Sequence, residues 1–241
     1  MRLVRDLVLL HGFTQTSATW APVAAEVAER YRLHAPDLRG HGAASDARPI
    51  GFEQVVGDVL GLVDGPCALA GYSMGGRIAQ LVALEVPARV ERLVLVSSSP
   101  GIEDPADRAA RLEADEQLAA VVEASPVDEF AERWAAQPLF ADQPDPVAAL
   151  AHEDRLRNTS AGLAAALRGL STGTMPSLWD RLGELAMPVD LVVGERDAKF
   201  RALNEAMAAR IPGATLHVIS GAGHAVHLER PAEVAAVIAP R

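Results

Sequence analysis

Residues 69–80 read LAGYSMGGRIAQ, an apolar run that gives way to a helical pattern, with Ser73 set between glycines at the junction. The segment Gly71-Tyr72-Ser73-Met74-Gly75 has the form GxSxG. At a sharp strand-to-helix turn of this kind the serine is forced into a strained backbone conformation, while the glycines let strand and helix pack closely around it. The same letters also fit a small residue in an ordinary tight turn. The rest of the chain decides between the two, because a nucleophile needs a base, an acid and an anion site.

Working outward, short apolar, β-branched runs recur at residues 6–12, 31–37, 67–73, 92–98, 189–195 and 214–220. Near-continuous apolar character marks strands buried on both faces, as in a parallel sheet. Helical patterns such as WAPVAAEVAER, FEQVVGDVLGLV and FRALNEAMAARI lie between them. Strands alternating with helices predict right-handed βαβ units in an α/β, doubly wound sheet. The alternation breaks between about Pro100 and Ala186, where the chain is helical, rich in alanine and charge, and too long for an ordinary connection. The expected organisation is therefore a core of residues 1–99 and 187–241, with residues 100–186 inserted as a helical cap.

The 241-residue chain has a formal charge of −10 and no Lys/Arg cluster, which argues against nucleic acid or an anionic membrane as partner. Its one cysteine, Cys67, excludes an internal disulfide framework and sits in an apolar run that reads as buried strand. No histidine spacing resembles a metal site, so no metal is expected. Charged residues interrupt the apolar stretch of MRLVRDLVLLHGF well short of a membrane span, and no small-residue cleavage site follows. The expectation is a cytoplasmic protein, monomer or homodimer, without membrane insertion.

In an open α/β sheet ligands gather at the carboxyl ends of the strands. The segments there are HGF, GYSMGG, GERD and GAGH. A serine hydroxyl is a poor nucleophile until an imidazole takes its proton, and the imidazole needs a carboxylate to fix its tautomer. Asp197 follows the fifth run and His224 the sixth, in the order serine, acid, histidine that this architecture uses. Glu195, two residues nearer the strand, is the alternative acid, whereas Asp190 opens its strand at the wrong end. An oxyanion would be met by the backbone N–H groups of Met74, after the serine, and Phe13, after the first run. His34 and His217 fall within strands and read as structural. His11 and His41 are as able to shape loops as to touch a ligand, and His227, three residues past His224, is the weaker base.

With elbow, acid and histidine in place, the chain resembles the α/β-hydrolases over nearly its whole length. The segments HGFTQTSATW, GYSMGGRIAQ, RWAAQPLF, LRNTSAGLAAALRGLSTG, GERDAKFRAL and GAGHAVHLERP carry a narrower likeness. Together they resemble the 2-succinyl-6-hydroxy-2,4-cyclohexadiene-1-carboxylate synthase (MenH) family of menaquinone biosynthesis. That resemblance implies a cofactor-free lyase that removes a proton from carbon and eliminates pyruvate from a small anionic carboxylate substrate. It further implies that Arg77, Arg111 and Arg157 bind carboxylates and that Tyr72 and Trp134 line the pocket. Arg108, one turn before Arg111, can exchange roles with it. Arginine suits such a substrate because its planar fork meets a carboxylate in two hydrogen bonds. Lys199, the one lysine, falls two residues after the proposed acid and is a further candidate for holding that loop or attracting an anion.

The same fold and triad also serve small-molecule carboxylesterases, lactonases and carbon–carbon hydrolases, since fold alone does not select the reaction. A third reading is a non-catalytic receptor that keeps the pocket. An intact serine, acid and histidine set argues against it, because a strained site persists only where something maintains it.

Overall fold

A computed structural model describes residues 5–240, so the ends of the expected core, residues 1–4 and 241, lie outside the described residues. Six parallel strands are present: β1 (Arg5–Leu10), β2 (Tyr31–His34), β3 (Cys67–Tyr72), β4 (Val90–Val96), β5 (Val189–Gly194) and β6 (Thr215–Ile219). They form one sheet in the order β2-β1-β3-β4-β5-β6. The helices are α1 (Ala21–Val27), α2 (Phe52–Leu60), α3 (Met74–Glu85), α4 (Pro105–Glu123), α5 (Val127–Ala135), α6 (Asp145–Arg155), α7 (Ser160–Gly169), α8 (Ala198–Ala208), α9 (Val226–Glu229) and α10 (Pro231–Ile238). The expected strands thus all form, although β2 stops at His34, three residues short of its apolar-run boundary.

The period of two along each strand divides the core. Val8, Leu10, Leu69, Leu93, Leu95 and Leu191 point to one face, where α2, α3 and α8 contribute Val55, Ile78, Val82 and Met207. Leu7, Leu9, Ala70, Val94 and Val192 point to the other, against Val23 and Val27 of α1 and Val234 and Ile238 of α10. β3 and β5 are buried along their whole length, as a strand covered on both faces must be. The edge strands are only partly buried, and each carries a histidine bound to a carboxylate on its neighbour: His34 to Asp6 and His217 to Asp190, both at 2.8 Å. These two histidines are structural, as their strand positions predicted. Cys67 is buried in β3, and desolvation raises its thiol to about 11.

Helices α4 to α7 lie between β4 and β5. Ala119, Val122, Phe130, Leu163, Ala164 and Leu167 form a small core of their own. Leu170, Met175, Leu178, Leu182 and Leu185 pack instead with the sheet. The separately packed part of the insertion therefore ends near Leu167, ahead of the boundary expected at Ala186. The intervening residues run back along the sheet because parallel β5 must start at the edge opposite the end of β4. Among the described residues no helix is long and apolar enough to cross a membrane.

Candidate active site

Ser73 occupies the turn between β3 and α3 with φ 49° and ψ −107°, a conformation L residues rarely adopt. Close packing explains why glycines surround it. A Cβ on Gly71 would sit 2.4 Å from the carbonyl oxygen of Gly75, and one on Gly75 would sit 2.2 Å from that of Leu10. The second contact seats the start of α3 directly against the end of β1. Ser73 itself is held by its N–H to the Val96 carbonyl at 2.9 Å and by the Ser98 hydroxyl, which donates to the Ser73 carbonyl at 3.0 Å.

Asp197 and His224 meet from neighbouring loops after β5 and β6. His224 Nδ1 lies 2.6 Å from Asp197 Oδ2, and both side chains are buried. The other oxygen of Asp197 accepts the Phe200 N–H at 3.3 Å and caps α8, so the helix start orients the carboxylate. Glu195, the alternative acid, is exposed and accepts instead from the Gly221 N–H at 2.8 Å and from Ser220 Oγ at 3.0 Å, contacts that lower its pKa in that order. The loop bearing His224 is fixed by Glu229, which accepts the Gly223 N–H at 2.8 Å and pairs with Arg196 at 3.1 Å.

Ser73, Met74, Phe13, Asp197 and His224 line one cavity of about 1330 Å³. The Met74 N–H belongs to the first turn of α3, where amides have no intrahelical acceptor. The Phe13 N–H likewise has no acceptor among the described residues. Two amides are thus free at the mouth of the turn, near a positive helix end, an arrangement that stabilises negative charge on oxygen.

Of the five side chains that family resemblance suggested, Arg77, Arg111 and Trp134 line the cavity. The Arg77 side chain is half-buried and donates to the Thr172 hydroxyl; desolvation first, then the charge of Arg111, lowers its pKa to about 10. Arg111 pairs with buried Asp115 at 2.8 Å, and Ser171 Oγ donates to the other Asp115 oxygen at 2.6 Å. Arg108 is not among the lining residues. Trp134 meets the Phe13 ring edge-on, with centroids 5.1 Å apart. Lys199 also lines the cavity, with its ammonium 5.9 Å from the Phe200 ring centre.

Two placements differ from expectation. Tyr72 lies beneath the cavity wall, 2% exposed, with its ring packed between His224 at 5.3 Å and His227 at 4.1 Å. Burial raises its phenol above the ordinary range, and the neighbouring Arg155 opposes that shift. Arg157 points to solvent, with its side chain 64% exposed and 3.7 Å from Asp154. It lies two residues past the last residue of α6, and positions two apart on a helical turn face opposite ways. Arg155 takes the inward direction instead. It is 3% exposed, its guanidinium lies 5.3 Å from the ring centre of the cavity-lining Phe140, and its Nε and Nη1 have no hydrogen-bond partner. His11 and His41 shape the backbone: His11 Nε2 accepts the Leu38 N–H at 2.9 Å, and His41 packs edge-on against His11 and Phe13.

A parallel sheet with a strained serine after its third described strand, and an acid and histidine after its last two, defines an enzyme of the α/β-hydrolase fold. The chain belongs to the alpha/beta hydrolase family, whose model matches residues 7–237. Among curated relatives it is 36% identical to the 2-succinyl-6-hydroxy-2,4-cyclohexadiene-1-carboxylate synthase of Enterobacter sp. (strain 638), over 97% of this chain and 90% of that protein. Among solved structures it is similar to MenH from S. aureus, with a TM-score of 0.93, 32% identity, and coverage of 99% and 93% of the two chains. A thermophilic esterase from Thermogutta terrifontis matches with a TM-score of 0.86 and 27% identity, over 97% of this chain and 88% of that one.

Proposed function

We propose that this enzyme carries out the reaction for which its synthase relatives are named, eliminating pyruvate from an anionic cyclohexene carboxylate in menaquinone biosynthesis. Ser73 and His224 act as a base relay and Asp197 orients the imidazole. The proton leaves a substrate carbon for the Ser73 oxygen and passes to His224. The released electron pair moves through the substrate's conjugated system onto a carbonyl oxygen held by the Phe13 and Met74 amides. Its return breaks the carbon–oxygen bond, and pyruvate departs as the enolate, to be protonated afterwards. No covalent adduct on Ser73 is required, which separates this chemistry from ester cleavage. In this reading helices α4 to α7 form a cap over the cavity.

The observation that carries the proposal is Arg77. A half-buried guanidinium that faces the cavity and makes no ion pair among the described residues is placed to meet an anionic substrate in two hydrogen bonds. Arg155 beside the cavity, buried and with Nε and Nη1 unpartnered, is a second cation that a neutral ester does not need, while Arg111 at the same cavity is already paired with Asp115. The test is to supply the pathway substrate to purified protein beside a panel of neutral short-chain esters. Pyruvate release that outpaces ester cleavage supports the lyase. Ester turnover without pyruvate identifies a hydrolase.

A further inference from the structure

Three hydrogen bonds run from the end of α6 into the loop that carries the Phe13 amide. Asp154, 4% exposed on the last turn, accepts the Thr16 N–H at 2.8 Å through one oxygen and the Thr16 hydroxyl at 2.5 Å through the other. Asn158, just beyond the helix, donates to the Thr14 carbonyl at 2.9 Å and to the Arg155 carbonyl at 3.1 Å. Its own oxygen accepts the Gly42 N–H at 3.1 Å. These contacts join segments 138 and 144 residues apart in the chain.

The gripped loop is strained. Thr14 has φ 68°, a left-handed conformation that costs a β-branched residue about 1–3 kcal/mol and persists only where surrounding contacts over-determine it. The Thr14 carbonyl is fixed by Asn158, and the residue two further on is fixed by Asp154. The residue immediately before Thr14 is Phe13, whose N–H has no acceptor among the described residues.

We propose that Asp154 and Asn158 are positioning residues: the C-terminal turn of α6 holds the Thr14–Thr16 backbone, and through it aims the Phe13 amide at the developing oxyanion. The inference rests on Phe13 being an oxyanion donor and is independent of which substrate the enzyme uses.

The test reads the rate at which an alkyl fluorophosphonate labels Ser73, because the phosphoryl oxygen must enter the same donor pair. Alongside it are measured Tm and, with the pathway substrate, kcat and KM for pyruvate release. Asn158→Ala, Asp154→Ala and Thr16→Val should each slow labelling about tenfold or more, a fraction of what losing an oxyanion donor outright costs. Pyruvate release should lose kcat with little change in KM. Asp154→Asn and Thr16→Ser, which keep polar partners in place, should recover most of the rate, and Arg168→Ala, which cuts an exposed ion pair within the insertion, should leave it unchanged. Wild-type labelling rates in Asn158→Ala and Thr16→Val overturn the proposal, as does a loss that the conservative variants share in proportion to Tm. Slowed labelling in these variants, with no pyruvate formed even by the wild type, removes the lyase reading and leaves this inference standing.

Discussion

His227 stacks on Tyr72 with ring centroids 4.1 Å apart, and neither of its ring nitrogens has a hydrogen-bond partner. Trp20 covers it at 4.9 Å. Burial, reinforced by His224 and His11, lowers its pKa from 6.5 to about 3, and burial does the same to His41. The unfolded chain therefore takes up protons below about pH 6.5 that the folded chain refuses until near pH 3. Stability present above that upper value is lost as pH falls through this window, by up to about 1.4 kcal/mol per pH unit for each ring. Thermal unfolding between about pH 4 and 7 should show this slope. His227→Phe should reduce it by roughly half, leaving the His41 share, and should melt no lower than wild type at neutral pH, since it removes an unpaired buried polar group and keeps the stack. An unchanged slope would count against His227 as a source of the acid sensitivity.

Asp197 serves two partners, and one substitution separates them. Asparagine caps a helix about as well as aspartate, so Asp197→Asn should keep α8 and the melting temperature nearly intact. It should still lower kcat by about 10⁴-fold, because an amide favours the wrong tautomer of His224. Ser73→Ala should remove turnover to a similar degree with the fold unaltered. Near-normal kcat in either variant would show that the site works without this triad.

The arginines divide by direction. Arg77→Gln and Arg155→Gln should each cost about 2–3 kcal/mol in kcat/KM for a polyanionic substrate, roughly a hundredfold, with neutral esters spared. Arg157→Gln, at an exposed side chain, should change neither. Steady-state kinetics on both substrate types decide this, and a large effect at Arg157 would mean that the end of α6 rearranges around the ligand.

Two glycines should respond in opposite senses. Gly75→Ala drives a methyl into the Leu10 and His11 carbonyl oxygens at 2.2 and 2.7 Å, so it should cost about 3 kcal/mol or prevent folding. A Cβ on Gly57, in the middle of α2, meets nothing within 4 Å, so Gly57→Ala should add about 0.5–1 kcal/mol. Denaturant titration of both variants reads the contrast directly.

The strands and the three side chains proposed as the triad were legible because each depends on local pattern: an apolar run, then a loop bearing the chemistry. Ser73, Asp197 and His224 each stand just past such a run, and the structure brings them to one cavity. The arginines were harder. Arg155 and Arg157 share a charged helix end, and which one turns inward depends on where α6 stops and on Asp154 finding Thr16, a partner 138 residues away. Neither fact has a sequence period. The hydrogen bonds of Asp154 and Asn158 have no local signature for the same reason, as acidic and amide side chains beside a helix end usually face water. The stretch from Leu170 to Leu185 reads as part of the insertion because it is irregular and follows helices. Its apolar residues nevertheless belong to the sheet's core, a destination set by the need to reach the far edge of a parallel strand.

The grip of Asp154 and Asn158 on residues 14–16 joins two stretches of gene that recombination could otherwise exchange independently. A chimera taking its insertion from one parent and its β1 loop from another inherits half of that contact. An exchange of the insertion therefore has to carry the β1 loop along or rebuild its support, which makes the two segments a single heritable unit.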